Sequence, residues 1–83
     1  MSYLVGDYTP SDARYGEACS PCYAFITQVD KSGDLQVSTI TLYADLEKTT
    51  PIFSFNVGTL DDSEASIWEA AKQAYIPGFA LGT

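Results

Sequence analysis

Histidine is absent from this chain of 83 residues, and cations are scarce: four Lys and Arg stand against eleven Asp and Glu, a formal net charge of −7. The missing imidazole removes at once the commonest general base, the commonest metal ligand and the usual switch near neutral pH. Four scattered cations cannot neutralise a run of phosphates, so direct nucleic-acid binding is not expected. No apolar run exceeds a few residues, which leaves no membrane-spanning helix. Met1-Ser2-Tyr3-Leu4-Val5-Gly6-Asp7 lacks the basic start and apolar stretch of a signal peptide, so a cytoplasmic protein is expected. There is no Gly-rich phosphate cradle and no G-x-S-x-G nucleophile turn. Catalysis would have to rest on carboxylates, tyrosines or the two cysteines, and no residue is assigned a catalytic role. Neither a cofactor nor a metal is expected.

What the chain does contain is apolar and aromatic material: 46% hydrophobic residues, with six Tyr, four Phe and one Trp. At this length one domain, residues 1–83, is the sensible count, with a single thin core. Residues 1–21 read as an irregular amino-terminal arm. Within it Tyr3-Leu4-Val5 has the chemistry of a short strand, and Ser11 or Asp12 can cap one helical turn through Ala13-Arg14-Tyr15.

Residues 22–57 read as a three-stranded antiparallel meander. In Cys22–Val29 the alternate residues Tyr23, Phe25, Thr27 and Val29 form one face, in β-branched and aromatic chemistry. Asp30-Lys31-Ser32-Gly33-Asp34 has a superficial look of a calcium loop, but its glycine falls at the fourth position, where a bulged hairpin turn needs a left-handed residue. Leu35–Tyr43 returns, with Gln36, Ser38, Ile40 and Leu42 on one face. The polar half of that face suggests less cover there than over Ile40 and Leu42. Ile52–Val57 alternates again, with Phe53, Phe55 and Val57 inward.

A helix is predicted over residues 61–76. Asp61 to Glu64 has the spacing of a capping box, and Ile67, Trp68, Ala71, Ala74 and Tyr75 make one apolar stripe at the helical period. Pro77-Gly78 stops it. Phe79-Ala80-Leu81 can tuck against the core or add a terminal strand. The expected fold is therefore α+β: a three- to four-stranded antiparallel meander in β-β-β-α order, one helix on one face, and the amino-terminal arm. Phe25, Phe53, Phe55, Trp68 and either Tyr43 or Tyr75 are the expected aromatic core.

Three constellations carry candidate chemistry. Cys19-Ser20-Pro21-Cys22, with Thr50-Pro51 downstream, resembles the paired-cysteine and Thr-Pro elements of thioredoxins and glutaredoxins, which implies a possible redox pair of Cys19 and Cys22. The stretch after Cys22 reads as a strand, however, where that family places the helix that activates the first thiol. Two thiols without an imidazole also fall short of a four-ligand structural zinc site. The second constellation follows from topology. In a meander followed by a helix, the first hairpin turn and the start of the helix lie at the same end of the sheet. That gathers Asp30, Asp34, Asp61, Asp62 and Glu64 into an acidic pole with only Lys31 nearby, a field suited to steering a basic partner. Third, the tyrosines of the arm, Tyr8 and Tyr15, are candidate exposed aromatic anchors for a protein contact.

The resulting expectation is a small, non-catalytic acidic protein that binds and inhibits a partner with a basic surface, such as a nucleic-acid-handling complex. In size and charge the chain is similar to phage-encoded anti-defence inhibitors, anti-CRISPR proteins among them; the similarity is one of bulk properties and of no motif. One alternative is a structural or assembly subunit that forms a homo-oligomer through aromatic surface. A thiol–disulfide exchange protein is the other.

Overall fold

A computed structural model describes residues 3–82. Met1 and Ser2, at the head of the expected arm, and Thr83 lie outside the described residues. The order of elements is β1 (Leu4–Tyr8), a single 3-10 turn (Ala13–Tyr15), β2 (Cys19–Ser32), β3 (Leu35–Tyr43), β4 (Pro51–Thr59), α1 (Glu64–Ala74) and β5 (Ala80–Leu81). The strands form one antiparallel sheet in the order β4-β3-β2-β1-β5. The α+β meander with one helix is thus the fold, and it gains two strands at its amino-terminal side. The segment read as an irregular arm supplies β1, which pairs Leu4 with Ala24 and Val5 with Tyr23. Its pattern, Leu4-x-Gly6-x-Tyr8, alternates correctly but hides behind a glycine. Gly6 is needed there, because a Cβ would come within 2.8 Å of the Phe79 ring, which closes the core over β1.

One face of the sheet carries the core. Leu4, Tyr8, Cys22, Ala24, Ile40, Leu42, Phe55 and Val57 meet Ile67, Trp68 and Ala71 from the helix, with Ile76 and Phe79 from the segment beyond it. The helix begins later than the sequence spacing suggests. Ser63 is the N-cap and accepts from the Ser66 backbone N–H at 3.3 Å, while Asp61 lies outside the helix and accepts from the Ser63 N–H at 2.7 Å and from the Ser66 hydroxyl at 3.1 Å. The capping box of Asp61 and Glu64 is therefore replaced by a serine cap braced from behind by Asp61. Gly33, at φ 63°, closes the β2–β3 hairpin as its position requires.

A bulge changes the far end of β2. Ile26 pairs with Ile40, but Gln28 pairs with Thr39, so Thr27 is the extra residue. Beyond it the faces exchange, because the side-chain period of a strand is two. Val29, expected beside Tyr23 and Phe25, instead lies opposite Ser38 on the helix side. The polar half of β3 is covered: Gln36 and Ser38, on the same face as Ile40 and Leu42, are buried, at 5% and 0% exposure, flanked by β2 and β4 and facing the start of the helix.

The opposite face carries no helix. Tyr3, Tyr23, Phe25 and Tyr43 form a chain of ring contacts at 5.5–6.0 Å. The Lys48 ammonium lies 4.5 Å from the Phe25 ring centre. Beside this patch Thr27, Thr41 and Ser54 join hydroxyls across three strands at 3.0 Å per step.

Candidate functional site

The β2–β3 hairpin and the β4–α1 connection, which carry the residues of the expected acidic pole, meet at one end of the sheet. Lys31 Nζ lies 3.7 Å from Asp62 Oδ2, which ties the hairpin to the segment before the helix across this end of the sheet. The five carboxylates differ in what else they hold. Asp30 departs from the expected cluster: paired with Val37 on the face away from the helix, it accepts from the Gln28 amide at 2.8 Å, while Glu64 accepts from the Trp68 indole N–H at 3.2 Å. Asp61 is committed to the helix start, and the hydrogen bonds from Ser63 and Ser66 hold its pKa below the ordinary aspartate value. Asp34 and Asp62 are exposed, and both partners of the Lys31–Asp62 pair are largely solvated, so that contact contributes little.

Three large apolar side chains reach solvent around this end but on different faces: Val29, 49% exposed, on the helix side, Leu35, 45%, on the opposite face, and Leu60, 82%, in the connection to the helix. Sequence reading missed them as a group. Val29 is brought out by the bulge, Leu35 leans over Gly58 of the neighbouring strand, and Leu60 sits in the connection that leads to the helix. Between the hairpin and the helix start lies a cleft of about 270 Å3, walled by Ile26, Val29 and Ile67, with Gln36, Asp62 and Glu64 supplying its polar groups.

The aromatic anchors fall elsewhere. Tyr8 is a correction: it is buried, at 5% exposure, since its strand places it beside Phe53 in the core, and its hydroxyl donates to the Tyr15 carbonyl. Burial pushes the Tyr8 phenol above its ordinary pKa. Tyr15 is half-buried, edge-on to Phe53 and tilted against Tyr75, which keeps 41% of its surface exposed. These rings gather at the carboxyl end of α1. An eleven-residue helix spans about 16 Å, so they lie at the opposite end from the acidic pole.

Cys19 and Cys22 are both free thiols on β2. Cys19 pairs with Tyr8 and Cys22 with Gly6, so Ser20 and Pro21 of β2 oppose Asp7 alone, and the bulge turns both thiols to the core side. Cys19 is half-buried, and its thiol donates to the Pro21 carbonyl at 3.2 Å. Burial, with the Cys19 thiol beside it, pushes the Cys22 thiol up to about 12. Neither cysteine stands at a helix N-terminus.

Among the described residues, no three cysteine or carboxylate side chains converge in a manner that could hold a metal ion. Nor is any helix among them long and apolar enough to cross a membrane. No known protein family, curated protein or solved structure matches this chain.

Proposed function

We propose that this protein is a non-catalytic binding protein that docks its acidic pole on a basic surface of another macromolecule and thereby blocks it. The observation that supports this reading is the meeting of the β2–β3 hairpin with the acidic helix start at one end of the sheet, tied by Lys31 and Asp62, with Val29 and Leu60 exposed there. Carboxylates at one end of a small domain project a field that raises the association rate, and apolar side chains among them supply the contact that slows dissociation. Leu60 replaces the buried Tyr8 as the anchor. Inhibition, and the anti-defence role in particular, rests on the small size, the charge of −7 and the similarity in bulk properties.

The test is capture of the partner from lysate by the wild-type protein, then association kinetics with Asp30→Lys, Asp34→Lys and Asp62→Lys combined. These three leave the Ser63 cap and Asp61 in place. A slowing of association of about tenfold at low ionic strength supports the reading; an unchanged rate overturns it.

A homo-oligomeric assembly subunit is the second reading, favoured by the sheet face on which Tyr3, Tyr23, Phe25 and Tyr43 lie without a helix above them. Light scattering on the eluted protein separates the two, because a closed oligomer that survives dilution belongs to an assembly role. Thiol–disulfide exchange has least behind it: a buried thiol pushed up to about 12 is protonated at neutral pH and a poor nucleophile.

A further inference from the structure

The cleft at the acidic pole has a composition that selects among basic partners. We infer that it is a receptor for a single arginine side chain of the partner, with the guanidinium held by Gln36, Glu64 and Asp62 and the methylene stem lying on Ile26, Val29 and Ile67. This deepens the binding function proposed above and rests on it.

Size comes first. At about 270 Å3 the cleft is smaller than the roughly 300–1,000 Å3 of sites for drug-sized ligands, and it fits one side chain better than a cofactor. Polarity is the second observation, and it is independent of the acidic cluster. Gln36 is 95% buried and lines the cleft, and its amide makes no side-chain hydrogen bond among the described residues. Two residues along the same face of β3, the Ser38 hydroxyl is buried without a partner. The Gln36 amide atoms are not among the fully buried ones, so the amide is wetted and free to exchange water for a ligand. Its carbonyl oxygen accepts from a donor, and the two carboxylates accept as well.

The ligand must therefore bring several donors and a positive charge at the end of an apolar stem. A guanidinium presents five N–H donors in a planar fork, enough to reach an amide oxygen and a carboxylate together. A lysine ammonium is a compact, more strongly hydrated point charge. The partial positive charge of the α1 N-terminus opposes any cation, but it amounts to about half a charge against the two carboxylates. Lys31 is no obstacle, since its 3.7 Å contact with Asp62 is exposed and readily exchanged.

Nitrogen-15 amide spectra of the whole protein, titrated with Nα-acetyl-arginine N-methylamide, test this without any knowledge of the partner. The matching lysine and norleucine amides serve as controls. The expected result is a saturable shift of the Gln36 side-chain amide and of the Val29 and Ile67 backbone amides with the arginine probe. Glu64→Gln combined with Asp62→Asn, both exposed and conservative changes, weakens that binding by about fivefold. Shifts that do not saturate, or that norleucine reproduces, overturn the cleft as a cation receptor. Equal binding of the lysine probe overturns the guanidinium assignment. Failure here leaves the association-rate test of the acidic pole standing, and a failed rate test with a saturable arginine titration sinks the partner-docking function while keeping the cleft.

Discussion

At the scale of single residues, Trp68 and Cys22 bear the most weight. Trp68 is 5% exposed, packs in the main cluster and donates its indole N–H to Glu64. Trp68→Ala should destabilise the domain by about 3–5 kcal/mol, measured by urea unfolding. Fluorescence already red-shifted in the native protein and insensitive to denaturant would contradict that burial. Cys22 makes a different kind of prediction. With its thiol fully buried and pushed up to about 12, it should resist iodoacetamide near neutral pH in the folded protein and react only after unfolding. Peptide mapping of the alkylated protein checks this, and rapid native labelling of Cys22 would restore a redox role. Tyr8 shows where reading single residues from sequence fails. Its polar neighbours suggested exposure, whereas the side chain follows the parity of its strand, with the hydroxyl satisfied by one backbone carbonyl.

Elements were legible in proportion to their periodicity. The apolar stripe of α1, the β2–β3 hairpin with Gly33 and the alternation of β4 could all be read from spacing. Two-residue β5 could not be fixed, because so short a strand is decided by its partner, Leu4–Val5, and carries no pattern of its own. The bulge at Thr27 was equally hidden: Ile26-Thr27-Gln28 is good strand chemistry in either register, and only pairing with β3 shows the slip. That slip moves Val29 to the cleft, so this wall of the candidate site depended on an event without a local signature. The turns carry a pH prediction. Asp45 accepts from the Thr49 hydroxyl and from the Thr49 and Thr50 N–H groups of the β3–β4 turn, and Asp61 from Ser63 and Ser66. Both folded-state pKa values lie below 3.8, so their stabilisation is present above that pH and is lost as pH falls through the depressed values. Asp45→Asn with Asp61→Asn should therefore lower the melting temperature at neutral pH, and the gap from wild type should close well below pH 3.8. A gap that stays constant across that range would mean the carboxylates act through shape alone.

For the whole molecule, the polarity of the helix sets the arrangement. Its amino end carries Asp61, Asp62, Glu64, exposed Leu60 and the cleft of about 270 Å3; its carboxyl end carries Tyr15, Tyr75 and Phe53. About 16 Å of helix separates the two ends. The meeting of the hairpin with the helix start was legible because topology alone brings them to one end of the sheet. The apolar part was not, since exposure of Leu35 and Leu60 follows from how β3 and β4 end. The most direct test of the central claim is the association rate of the captured partner with wild type and with the Asp30→Lys, Asp34→Lys, Asp62→Lys protein, at low and high ionic strength. The account predicts a loss of about tenfold at low salt that shrinks as salt screens the field. Equal rates for the two proteins at low salt would contradict it and leave the carboxylates with solubility as their only role.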